Sequence, residues 1–187
     1  LGALCGVMCE SSGVVNIVGD QATYHRALDA PLTADTEALA RTVSGWLRTS
    51  MNAAEVGRDA AAAVQAALAF PGQVATLIVP SDTSWNEGGI VADPLPRSQP
   101  QAADPHSIET AARVLREGKA VLLLLAGRAA LSEAQALAWT ISQSTGASLM
   151  ADYVTAHLAR GRGRLPLERV PYNSDMAVEA LRRFDHI

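Results

Sequence analysis

The stretch that most constrains this chain is Val74-Ala75-Thr76-Leu77-Ile78-Val79, an apolar, largely β-branched run opened by Pro71-Gly72 and closed by Pro80. A run without polar alternation fits a strand covered on both faces. It follows an Ala-rich helical pattern from Asn52 to Ala69. In that pattern Val56, Ala60, Ala63, Val64, Ala67 and Leu68 form the apolar side, and Glu55, Arg58 and Asp59 mark the wet side. A buried strand entered from a helix implies parallel strands joined by crossover helices.

The remainder repeats this grammar. Val14 to Val18 reads as a buried strand, and Val43 to Thr49 alternates as a strand does. Between them, Gly19 to Thr36 is a loop, and Asp35 or Thr36 caps a short helix to Arg41. Gly88 to Ala103 holds Pro94, Pro96 and Pro100 and reads as an extended, semi-rigid linker. After it, Asp104-Pro105 opens a helix with proline at its first position and a buried stripe of Ile108, Ala111, Ala112 and Leu115. Ala120 to Leu125 is a strand, Gly127 turns the chain, and a helix runs from Ser132 to Thr145, ended by Gly146. Ala147 to Ala151 is a short strand, and Ser174 caps a helix over Met176 to Phe184. Leu1 to Glu10 reads as the last turns of a helix and Asp185-His186-Ile187 as the start of a strand, so both ends are expected to continue. The predicted fold class is α/β, with parallel sheets flanked by helices in two incomplete lobes, residues 1–88 and 104–187, joined by a linker over 89–103.

Composition narrows the function. Net charge is −4, and among 15 Lys and Arg only Lys119 is a lysine. No basic stripe is visible, so a nucleic-acid partner is not expected. The apolar run 121–126 is far too short to span a bilayer, so no membrane partner is expected either. Cys5 and Cys9 fall on one face of a helix, where a disulfide would be strained. They read as buried reduced thiols, which suits the cytoplasm, and no metal-ligand pattern accompanies them.

No Gly-x-Ser-x-Gly, P-loop or His-Glu-x-x-His occurs. Gly127-Arg128 stands where a dinucleotide fold places its glycine-rich turn, but the full G-x-G-x-x-G is lacking and only Asp152 follows as an acidic residue at a strand end. Gly161-Arg162-Gly163-Arg164 reads as a solvated basic loop. The polar concentration is the loop from Gly19 to Leu32, which carries Asp20, Gln21, Tyr24, His25 and Asp29. It leaves the carboxyl end of a buried parallel strand, the edge at which open α/β sheets bind ligands. Base, acid, hydroxyl and amide within one loop suit proton transfer and ligand binding. An equally open reading is a long connection whose polar groups satisfy its own backbone.

Val14 to His25, Asp29-Ala30-Pro31-Leu32-Thr33, Val43-Ser44-Gly45-Trp46 and the strand-Pro-x-Asp of Val74 to Asp82 resemble, in order and spacing, the thiamine-diphosphate-dependent enzymes of the acetolactate synthase large subunit type. Asp104 to Gly127 and Val170 to Ile187 continue the likeness. The resemblance implies that the chain holds the end of a pyrimidine-binding domain and the start of a Rossmann-like central domain. It implies a parent enzyme that uses thiamine diphosphate and Mg2+ on a 2-oxo acid, by decarboxylation and carboligation. A decarboxylase of the benzoylformate decarboxylase type is the alternative, and a non-catalytic nucleotide-binding or interaction module is the alternative of another class. The family's activating glutamate and its diphosphate–Mg2+ motif fall outside the matched residues, so the chain alone is expected to be inactive. Val170-Pro171-Tyr172 stands where flavin-containing members have a glycine-rich stretch, so FAD is not expected. Partners implied are the remainder of the same polypeptide and a second subunit, in a homodimer or homotetramer. The resemblance places the loop near the cofactor cleft, with His25 and Asp29 as catalytic candidates and Asp20 and Gln21 as cofactor-binding candidates.

Overall fold

A computed structural model describes residues 12–155 and 157–187. The expected helix over Leu1 to Glu10, with Cys5 and Cys9, lies outside the described residues. The chain divides into two compact units, 1–100 and 101–187.

In the first unit β1 (Val14–Asp20), β2 (Trp46–Thr49) and β3 (Val74–Pro80) form a parallel sheet in the order β1-β3-β2. The apolar run is thus the central strand, and from Val74 to Ile78 every residue is buried. The edge strand β1 instead alternates, with Ile17 exposed. Strand β2 begins only at Trp46, after a turn in which Val43 N–H bonds the Ala40 carbonyl; Gly45 N–H already reaches the Val74 carbonyl of β3.

Among the described residues this unit holds α1 (Thr36–Arg41), α2 (Ala53–Ala67) and α3 (Ser81–Trp85). Asp35 and Asn52 cap α1 and α2 through their side chains, each accepting a backbone N–H at the third position on. Helix α2 lies on the sheet through Ala63 and Ala67, which pack with Ala75 and Leu77. Its small side chains let helix and sheet approach closely.

Asp59 departs from the expected pattern. It belongs to the buried side of α2, 1% exposed, where it accepts from Arg48 Nη1 at 2.9 Å and from the Ser50 hydroxyl at 3.0 Å. Arg58 Nε adds a third contact at 3.3 Å. Val64 and Leu68, expected inside, are about half exposed. The helix is rotated toward its polar partners on β2, which a pattern of apolar residues cannot report.

The second unit holds α4 (Pro105–Arg116), β4 (Leu122–Leu125), α5 (Ser132–Thr145), β5 (Ser148–Ala151) and α6 (Ser174–Leu181). Strands β4 and β5 are parallel, and single parallel bridges add His186 beside Val121 and Arg169 beside Ala151. The spatial order Arg169, β5, β4, His186 is that of half a doubly wound sheet. Two corrections apply here. Helix α4 has no buried residue: Ala112 and Leu115 are only half-buried, and Ile108 is 56% exposed. The cap of α6 is Asn173, whose side chain accepts from Asp175 and Met176 N–H, and Ser174 is already helical.

Candidate functional site

The carboxyl ends of β1 and β3 lie side by side, with Asp20 opposite Pro80. A cavity of about 490 Å³ opens at this edge. Strand ends supply Gly19, Asp20 and Val79; α3 supplies Ser81, Ser84 and Trp85; the loop and the start of α1 add Gln21, Leu32 and Thr36.

Each wall has a local cause. Pro80 has no N–H to continue the ladder, and the chain turns at once into α3. The Asp82 carboxylate then reaches back to the loop, accepting from Thr23 N–H at 2.9 Å and from the Thr23 hydroxyl at 2.6 Å. Hydrogen bonds from the Thr23 hydroxyl, and then from its N–H, hold the Asp82 carboxyl below the usual carboxylate range. Ala22 beside it is buried, which seats the start of the loop. At the loop's other end Gln21 Nε2 donates to the Pro31 carbonyl at 3.0 Å. Asp29 and Leu32 take left-handed φ values of 50° and 68°, and Leu32 is 95% exposed. A leucine held in that region without burial is strain of the kind that gathers at functional loops. Thr49 at the end of β2 donates to Glu37 at 2.7 Å, which fixes α1 and with it Thr36.

Asp20 is the most unusual group here. Its side chain is 7% exposed, and Oδ1 accepts the Gln21 N–H at 2.8 Å. Oδ2 is buried and has no hydrogen-bond partner; Arg26 Nε stands 3.6 Å away. Buried acceptors are nearly always satisfied, and here the nearby Arg26 guanidinium balances the carboxylate's charge without completing a hydrogen bond.

The structure therefore brings Asp20 and Gln21 to one cavity. His25 and Asp29 do not line it. Both are exposed, His25 lying edge-on to Tyr24 with ring centroids 4.4 Å apart at the start of a single 3-10 turn. Asp82, Ser81, Ser84, Trp85, Leu32 and Thr36 were not among the sequence-derived candidates. The one signal for them was Pro80-Ser81-Asp82 directly after the strand, where the carboxylate lies within reach of the neighbouring loop.

In the second unit Gly127 leaves β4 with φ of 51° and opens a 3-10 turn, and Asp152 follows β5 with its N–H on the Leu125 carbonyl at 2.9 Å. The Gly161 to Arg164 loop is exposed. Among the described residues no group of three or more His, Cys, Asp or Glu could hold a metal ion. No described helix is long and apolar enough to cross a membrane.

No protein-family model matches the sequence. Over 174 residues, 93% of this chain, it is 40% identical to a Mycobacterium tuberculosis protein provisionally assigned as an acetolactate synthase large subunit, IlvX. The chain spans 33% of that relative's length. Among solved structures, a thiamin diphosphate-dependent enzyme from Mycobacterium smegmatis matches with a TM-score of 0.77 at 16% identity, over 98% of this chain and 36% of the other. A thiamine diphosphate-dependent 4-hydroxybenzoylformate decarboxylase from Rhodococcus jostii RHA1 matches with a TM-score of 0.66 at 20% identity, over 81% of this chain and 29% of the other.

Proposed function

We propose that this chain forms part of a thiamine-diphosphate-dependent enzyme of the acetolactate synthase type, one that decarboxylates a 2-oxo acid and joins the remaining fragment to an acceptor. The observation that carries this is the 40% identity over 174 residues to the acetolactate synthase-type relative. In this reading residues 1–88 are the end of a pyrimidine-binding domain and 104–187 the start of a central domain, with 89–103 between them. The enzyme works as a homodimer or homotetramer together with the rest of its polypeptide.

The cavity suits part of such a cofactor. Its lining offers the Asp20 carboxylate, the Gln21 amide, three hydroxyls and the Trp85 ring, with no Lys or Arg among them. That combination fits an uncharged heteroaromatic ring bearing N–H donors. It does not fit a diphosphate, which calls for cations or a metal. Thiamine diphosphate, when bound, supplies a nucleophilic carbon for the keto group and an electron sink for decarboxylation. Asp20 and Gln21 would bind and orient the ring, and Trp85 and Leu32 would exclude water from one side. In this reading His25 and Asp29, on the exposed part of the loop, would meet substrate at a subunit interface rather than inside the cavity. Mg2+ and the diphosphate would be held elsewhere in the polypeptide, and FAD is not part of the proposal.

The test is to supply the longest polypeptide that contains this chain with thiamine diphosphate, Mg2+ and either pyruvate or benzoylformate. Cofactor-dependent formation of acetolactate supports the proposal. Benzaldehyde from benzoylformate without carboligation would replace it with the decarboxylase reading. Absence of thiamine diphosphate binding by calorimetry would overturn both in favour of a non-catalytic module.

A further inference from the structure

Helix α2 contains a single glycine, Gly57, in an otherwise Ala-rich sequence. Glycine in a helix interior is unfavourable relative to alanine, so its presence asks for a reason. The structure supplies one. Residues after α3 return across α2, and a methyl group built on Gly57 would overlap the Ile90 carbonyl oxygen and stand 3.3 Å from the Ala92 nitrogen. Further along, Gln65 Nε2 of the same helix donates to the Pro96 carbonyl at 2.8 Å. The segment is thus tied to α2 at two points, two turns of helix apart, while Val91 between them is 96% exposed.

We infer that residues 89–96 are a latch, keyed by Gly57 and closed by Gln65, that fixes the exit of α3 and so positions Ser84 and Trp85 at the wall of the candidate cavity. The connection is short: Trp85 is followed by Asn86 to Gly89, and the latch point is Ile90. At its other side α3 is anchored by Asp82 on Thr23. A five-residue helix has little stability of its own, so where its side chains stand depends on its attachments: β3 directly before it, buried Thr83 bonded to the Pro80 carbonyl, Asp82 on Thr23, and the latch at its exit. Only the link to the cavity wall rests on the reading of that cavity as a ligand site; the latch stands without it.

The experiment compares the wild-type chain with Gly57→Ala, Gly57→Val and Gln65→Ala. Thermolysin cleavage before Ile90 or Val91 is timed by mass spectrometry, with trypsin cleavage after Arg162, in the exposed loop from Gly161 to Arg164, as a reference outside the latch. Cleavage of a locally opened segment tracks its open population. The inference expects thermolysin cuts to accelerate roughly tenfold in both Gly57 variants and less in Gln65→Ala, at unchanged trypsin rate and unchanged helix content. In 5-fluorotryptophan-labelled protein, the Trp85 resonance (identified with Trp85→Phe) is expected to shift or broaden while Trp46 and Trp139 stay in place. Unchanged thermolysin rates in all three variants, with Gly57→Ala simply melting higher as a helix propensity gain, overturn the latch. Faster cleavage with an unmoved Trp85 line overturns its role at the cavity.

Discussion

Replacing Asp59 by alanine tests the arrangement of the first unit most directly, because the apolar pattern of α2 sets this residue on the wet side whereas the structure buries it. The substitution removes an acceptor that serves Arg48 at 2.9 Å and Ser50 at 3.0 Å, two bonds that tie α2 to β2 and the turn after it. Ser50 is fully buried and would be left without an acceptor, a loss of about 1–3 kcal/mol. Removing one partner of a fully buried ion pair costs about 3–5 kcal/mol, but that figure is an upper bound here. Arg48 and Arg58 retain 44% and 65% side-chain exposure and can turn to water. The expected loss is about 2–3 kcal/mol, which at an m-value of about 1–3 kcal/mol/M moves the urea midpoint down by roughly 0.7–3 M. Burial pushes the Asp59 carboxyl up, and the hydrogen bonds from Arg48, Ser50 and Arg58 together outweigh it, so its folded pKa is depressed. A depressed carboxyl stabilises above its unfolded pKa and loses that contribution as pH falls through its folded pKa. The gap between wild type and Asp59→Ala is therefore expected at neutral pH and to close in acid. A midpoint change worth less than about 0.5 kcal/mol at neutral pH, the value of an ordinary surface substitution, would refute the placement.

Asp82→Ala is expected to free the loop, read as loss of amide-exchange protection at Thr23; the wild type should show the same loss as acid protonates Asp82, at a pH below the usual carboxylate range because its pKa is lowered. Asn173→Ala should cost about 1 kcal/mol of stability and Ser174→Ala much less, since Asn173 makes the capping bonds of α6; equal effects in thermal melts would contradict the cap. In the longest polypeptide containing the chain, His25→Ala is expected to lower turnover with little change in melting temperature, as His25 is exposed; early unfolding with unchanged activity per folded molecule would make the residue structural.

The features legible in the sequence are those determined by neighbours along the chain. The helices over 53–67 and 132–145 follow from apolar spacing and from Asn52 and Gly146 at their ends. Strand β3 follows from its unbroken apolar run, and the polar loop that leaves β1 lies beside the candidate cavity. The family likeness was carried by the order of these pieces. What the tertiary structure decided is every pairing across the chain. Strand order β1-β3-β2 sets Asp20 beside Pro80, and Asp82 meets Thr23 across 59 residues. Asp59 turns inward because Arg48 and Ser50 wait there, and Gly57 is required because Ile90 returns over it. A polar residue on an amphipathic helix reads as wet until its partner is known, and a glycine reads as a flaw until the backbone crossing it is seen. Both depend on contacts distant in sequence, which local propensity and periodicity do not encode.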